Sequence, residues 1–144
     1  MIYLDACALV KLVREENESS ALRDFLDGQR NTEHITSELA NAELMRTIRR
    51  VNHDDQGHPM ISEAAFEQQL QDASDVLDSV SQIALDTEVV SQAGAIEVPF
   101  VRTLDALHLA TAAQLGEAVT GFVSYDKGLL SAAEQAGLPT VTPR

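Results

Sequence analysis

The 144-residue chain, 44% apolar, has the size and composition of an ordinary globular protein with a substantial core. No apolar run approaches the roughly 20 residues of a membrane-crossing helix, the start MIYLDACALV lacks the basic beginning of a signal peptide, and the single cysteine, Cys7, excludes an internal disulfide or a cysteine-rich zinc site, so the cytoplasm is the expected location. A net charge of −13 argues on average against nucleic acid as a partner, since Lys and Arg at phosphates drive that binding.

In chain order, MIYLD is a short β-prone run that ends in an acid. The spacing of Leu9, Leu12 and Val13 predicts a helix over Ala8–Glu16. Ser19 or Ser20 caps a second helix to about Asp27. HIT is a short strand, and Thr36 or Ser37 caps a third helix running to about Val51. VNHDDQGHP is a turn-rich break. Ser62 opens a long amphipathic helix to about Val80, and Thr87–Ile96 forms another, closed by the apolar run VPFV. Ten acids and no Lys or Arg lie between Val51 and Val101, leaving thirteen acids against ten bases elsewhere. This acidic middle reads as a solvated helix face or as a surface for a basic partner; RTIRR, Arg46 to Arg50, stands just before it. Thr103 caps the helix LDALHLATA. GFVSYD is a second apolar run ending in an acid, Leu129–Ala136 is helical with Gly137 as its C-terminal cap, and PTVTP is a last short strand. Helices alternating with a few short strands predict one α/β domain over residues 1–144, with a small, mostly parallel central sheet flanked by helices. In such sheets ligands bind beyond the carboxyl ends of the strands, where Asp5 and Asp126 stand.

Each acid of interest has two readings. Asp5 and Asp126 each sit between an apolar run and a helix, as N-caps or as metal ligands at strand ends. Asp105 is a first-turn residue favoured by the helix dipole. Yet Leu104, Ala106, Leu107, Leu109, Ala110, Ala112 and Ala113 make its helix one to bury, and a buried carboxylate needs a cation or donors. His108 shares its face one turn on and reads first as a structural histidine, with orienting an acid or touching substrate as alternatives. Glu43 lies off the core side marked by Leu44, Ile48 and Val51, where a surface ion pair with Arg46 or Arg50 is the plain alternative to a site role. Glu38 is better explained by the helix dipole. Cys7 has no evident histidine partner and reads as a small buried residue rather than a nucleophile. His34, His53 and His58 form no metal spacing, and no glycine loop for phosphate is present.

The order of these acids carries more than any one of them. YLDACALVKL, ELANAELMR, RTLDALHLATA and GFVSYDKGLLSAAEQAGLPTVTP closely resemble, over nearly the whole chain, the four motifs of PIN-domain ribonucleases, and in particular the VapC-type toxins of bacterial toxin–antitoxin pairs. The resemblance implies a PIN-like fold and a catalytic and metal site of Asp5, Glu43, Asp105 and Asp126 holding Mg²⁺ or Mn²⁺. It also implies hydrolysis of RNA to 5′-phosphate and 3′-hydroxyl ends, a cognate antitoxin, and a homodimer. Ser124 matches the family's Ser or Thr near the last acid. Cys7 departs from the Ser or Thr common two positions after the first, and a thiol is a poorer neighbour than a hydroxyl for hard Mg²⁺ and its waters. The chemistry agrees: oxygen-rich sites suit these ions, clustered carboxylates need cations to stay ionised, and a metal offers phosphate the positive charge that the chain lacks. Lys11, Arg14, Arg46, Arg50 and Lys127 are candidates for contacts to the RNA backbone.

Three alternatives remain at this level. A receiver-type signalling domain would need an acidic pair after its first strand, whereas Asp54-Asp55 lies in a turn. A PIN-like binding or regulatory module without catalysis would be favoured by loss of acids, and all four are present. Hydrolysis of DNA would use the same acids.

Overall fold

Ile2, Tyr3 and Leu4 form strand β1 (Ile2–Leu4), and the pleat divides them. Ile2 and Leu4 enter one apolar cluster with Leu9, Leu22, Leu44, Ile48 and Leu77; Tyr3 enters a second with Ile35, Leu109, Phe122 and Leu129. The computed structural model describes Met1 to Arg144, and this division organises all of it. After β1 come α1 (Ala6–Val13), α2 (Ser19–Gly28), β2 (His34–Ser37), α3 (Leu39–Val51), α4 (Glu63–Asp78), β3 (Ser81–Ile83), α5 (Thr87–Gly94), α6 (Thr103–Gln114), β4 (Gly121–Val123), α7 (Lys127–Gln135) and β5 (Thr140–Val141). A short 3-10 turn, Gly116–Ala118, leads into β4.

The five strands are all parallel, in the order β3-β2-β1-β4-β5. Helices α1 to α4 supply the first cluster, and α6 and α7 the second. Because β1 is covered on both faces, all three of its residues are buried. The chain grows to one side of β1 through β2 and β3, then returns to its other side with β4. The switch point therefore lies between β1 and β4, at the carboxyl ends where open parallel sheets place their ligand crevice. Gly121 is required by this close pairing: a Cβ there would lie 3.0 Å from Ile2 Cδ1 and 3.3 Å from Val141 Cγ2.

The α/β expectation with a small parallel sheet agrees with this architecture, and several boundaries differ. Helix α1 starts at Ala6 because Asp5 caps it, and it ends at Val13 rather than Glu16. Strand β3 has no counterpart among the expected elements: its polar sequence SQI lies on the sheet edge, where β-branched apolar residues are not demanded. Thr36 and Ser37 belong to β2; Thr36 Oγ1 donates to the Leu4 carbonyl at 2.7 Å, while Ser37 Oγ accepts from the Leu39 N–H at 3.3 Å. Thr103 is the first helical residue of α6, and Arg102 occupies the cap position. Gly137 follows α7 at φ +79°, with the Leu138 N–H donating back to the Ala133 carbonyl, as a left-handed C-terminal stop requires. Asp54 and Asp55 lie beyond α3, and Asp54 accepts from the N–H groups of Gln56 and His58 in a local turn. On α4, Glu67, Asp75 and Asp78 are exposed, in keeping with a solvated face. No helix is long and apolar enough to cross a membrane.

Candidate active site

Asp5 is the first residue past β1 and the N-cap of α1. Capping and a site role coincide in this side chain. Oδ1 accepts from the Ala8 N–H at 2.8 Å, and Oδ2 accepts from the Ser124 hydroxyl at 2.5 Å. The Cys7 thiol donates to both oxygens, at 2.9 and 3.0 Å. Asp5 is 3% exposed, and no Lys or Arg lies within 4.0 Å of it. Burial therefore pushes its carboxyl pKa up, against the pull of Cys7, Ser124 and Ala8. A buried carboxylate with hydrogen-bond donors and no counter-ion is a place where a cation lowers the energy.

Asp126 repeats the arrangement at the end of β4. It caps α7, with Oδ1 accepting from the Leu129 N–H at 2.9 Å, and its own N–H donates to Ser124 Oγ at 3.1 Å. Ser124 thus ties the two strand-end acids together from behind. Asp105 comes from the first turn of α6. Glu43 comes from the middle of α3, where the alternative of an ion pair with Arg46 or Arg50 does not materialise. Its Oε2 instead accepts from His108 Nε2 at 2.6 Å. His108, 2% exposed, reaches Tyr3 Oη with Nδ1 at 2.8 Å. The Tyr3 ring is edge-on to His108 and stacks on Phe122 at 5.1 Å, so the phenol and imidazole are held from the core.

Asp5, Glu43, Asp105 and Asp126, carried by four different segments, line one cleft of about 490 Å³. Cys7, His108, Lys11 and Arg50 line it too. A second groove of about 780 Å³ shares Glu43, Thr47 and Arg50 with it and adds Arg46, Arg49 and His53 along α3. Glu38 points elsewhere, accepting from the Leu85 N–H at 2.8 Å. Arg14 and Lys127 line neither opening. The Lys11 ammonium is engaged by the Asn17 carbonyl at 2.8 Å, Glu18 at 3.1 Å and Glu16 at 3.4 Å, and it lies over the Tyr125 ring. Burial and the neighbouring Asp5 charge hold the Cys7 thiol well above its ordinary pKa, the opposite of an activated nucleophile.

Three residues outside the candidate set read from the sequence bear on this site, two lining its openings and one behind it in the core. Arg102 reaches Asp105 with Nε at 3.3 Å and Asp126 with Nη2 at 3.7 Å; its i,i+3 spacing from Asp105 was the available signal. Arg49 joins Arg46 and Arg50 in the groove. Tyr3 carries no signal, since a strand residue between Ile2 and Leu4 reads as core.

The donor set is entirely carboxylate oxygen, which fits Mg²⁺ or Mn²⁺. No three of the acidic, Cys or His side chains stand close enough together to enclose an ion alone. Mg²⁺ keeps several waters and is held elsewhere by one or two carboxylates together with substrate phosphates.

The PIN domain family profile matches residues 2–135. Ribonuclease VapC35 of Mycobacterium tuberculosis is 40% identical over 145 residues, covering 99% of this chain and 97% of the relative. Ribonucleases VapC47 and VapC46 of the same organism are 37% and 36% identical with the same coverage. Among solved structures, VapBC2 from Rickettsia felis bound to a DNA fragment from their promoter aligns over 100% of both chains, with a TM-score of 0.73 and 15% identity, a likeness of fold. By profile, by relatives matched almost end to end and by architecture, this chain belongs to the PIN domain family.

Proposed function

We propose that this chain is a divalent-metal-dependent ribonuclease of the VapC toxin type, working as a single PIN domain and neutralised by a cognate antitoxin. The observation that carries this reading is the meeting of Asp5, Glu43, Asp105 and Asp126 in one cleft at the switch point of the sheet. Relatives of 36–40% identity that are named ribonucleases support RNA as the substrate. The toxin role, the antitoxin and assembly as a homodimer follow from likeness to the VapC group.

Bound Mg²⁺ or Mn²⁺ would supply a lowered pKa for an attacking water and charge stabilisation at the leaving oxygen, giving 5′-phosphate and 3′-hydroxyl ends. The chain's own residues provide the frame. Ala8, Cys7 and Ser124 hold the Asp5 carboxylate in one orientation from behind. His108, fixed by Tyr3, does the same for Glu43. Asp105 and Asp126 face the same cleft from α6 and from the turn into α7. Arg46, Arg49 and Arg50 give the RNA backbone a cationic path beside these acids, on a chain that is acidic elsewhere.

The test compares purified protein with Asp5→Asn and Asp105→Asn on structured and unstructured RNAs, with Mg²⁺, Mn²⁺ or chelator. Cleavage should require the metal and be lost in both variants. Chelator-insensitive cleavage, or full activity in both variants, would overturn the reading. Tight capture of a partner protein with no cleavage of any RNA would favour a binding module instead.

A further inference from the structure

Arg102 is the one Lys or Arg within 4.0 Å of any of the four site carboxylates. It contacts Oδ2 of Asp105 and Oδ2 of Asp126, acids that come from different elements. It does so from the cap position of α6 without making a capping hydrogen bond, on a side chain that is 80% exposed. A guanidinium that bridges two carboxylates at the mouth of a cleft supplies the positive charge that a divalent cation would otherwise supply there. Both cannot have the same oxygens at full strength.

We propose that Arg102 is an exchangeable counter-ion of this site. It holds Asp105 and Asp126 together when no metal is bound and yields them when metal arrives. The freed guanidinium then takes a phosphate of the RNA. The proposal rests on the metal-dependent ribonuclease reading above and adds to it a residue outside the four-acid set, Arg102 at the start of the motif RTLDALHLATA. Three features suit the role. An exposed pair is weak enough to be exchanged. The side chain has no other partner to break from. Its planar fork, unlike a lysine ammonium, can address two carboxylate oxygens and afterwards a phosphate.

The experiment titrates Mn²⁺ calorimetrically into the isolated full chain, as wild type and as Arg102→Gln, Arg102→Lys and Asp105→Asn. It also measures RNA cleavage in saturating Mg²⁺. Arg102→Gln should bind Mn²⁺ about two- to fivefold tighter, the scale set by exposed ion pairs, and the difference should narrow in high salt. Its KM for RNA should rise several-fold with kcat little changed, and Arg102→Lys should recover part of that loss. Mn²⁺ binding by Arg102→Gln that equals or falls below wild type overturns the exchange. Tighter Mn²⁺ binding with unaltered KM overturns the phosphate contact. If Asp105→Asn abolishes Mn²⁺ binding while Arg102→Gln changes nothing, the Arg102 proposal alone fails. If Asp105→Asn leaves Mn²⁺ affinity intact, the metal-site reading fails and takes this proposal with it.

Discussion

His108 Nε2 lies 2.6 Å from Glu43 Oε2, and that bond joins two helices on opposite sides of the sheet at the rim of the cleft. The carboxylate can only accept, so Nε2 carries the proton whether the imidazole is neutral or charged. In the neutral form the Tyr3 hydroxyl donates to Nδ1 and fixes the tautomer. Glu43 is thereby oriented from a buried phenol through a buried imidazole. Partners of this kind behind metal-binding groups are worth about 10- to 100-fold in affinity or activity. His108→Ala should therefore reduce cleavage and weaken Mn²⁺ binding by about that factor. Tyr3→Phe should cost less in activity and about 1–2 kcal/mol in stability from the unpaired Nδ1. Parallel rates, Mn²⁺ titrations and denaturant melts check both. A His108→Ala protein that folds and keeps wild-type metal affinity would show that the bond is structural only.

Asp5 sets function against stability. Burial raises its carboxyl pKa in the folded chain. Such a group contributes its full stability below the unfolded carboxyl pKa of about 4 and loses it as the pH rises through the higher folded value. At neutral pH the ionised, metal-free side chain therefore costs stability. Asp5→Asn keeps an oxygen for the Ala8 N–H and drops the charge. The metal-free variant should melt above wild type at pH 7, by about 3–5 °C for each kcal/mol recovered. The gap should close as the pH is lowered. Added Mg²⁺ should raise the wild-type melting temperature and leave the variant's alone. A lower melting temperature for metal-free Asp5→Asn at pH 7 would contradict the argument.

Cys7 donates to Asp5 and accepts from the Tyr125 N–H at 3.2 Å, with its thiol pKa held up by burial and by the Asp5 charge. A hydroxyl makes the same donation and suits the water shell of a hard ion better. Cys7→Ser should therefore be at least as active as wild type, and Cys7→Ala less active. In the native protein Cys7 should react with iodoacetamide at pH 8 far more slowly than after unfolding. Equal labelling rates in the two states would sink this account.

The parts of this molecule that could be read ahead of the structure are those where local rules and the site coincide. Asp5 and Asp126 are signalled by an apolar run, an acid and then a helix, because the same side chain caps the helix and faces the crevice. Gly137 is signalled by the left-handed turn that it makes. Glu43 is different. Its helix face is visible, but its partner is 65 positions away, and no spacing announces a bond made across the sheet. Tyr3 is hidden for the same reason, behind the pattern of a buried strand. Strand β3 is missed because an edge strand is held by its backbone pairing to β2, and SQI carries no apolar alternation. Lys11 lines the cleft as a candidate contact, and the three acceptors that hold its ammonium are a tertiary detail that its spacing does not announce.

The arginines of α3 make the last prediction. Arg46, Arg49 and Arg50 line one groove that shares Glu43 and Thr47 with the carboxylate cleft. Arg49 also lies over the Phe66 ring at 5.7 Å, which restrains it there. Phosphate contacts release counter-ions, so log K for a single strand falls with log salt by about 0.7 for each phosphate neutralised. RNA affinity measured in chelator, where no cleavage occurs, should weaken in Arg46→Gln, Arg49→Gln and Arg50→Gln. The salt slope should flatten by about 0.7 for each arginine that meets a phosphate. Arg14→Gln and Lys127→Gln, whose side chains line neither opening, should leave affinity and slope unchanged. Equal losses at all five positions would mean that RNA responds to total charge rather than to this groove.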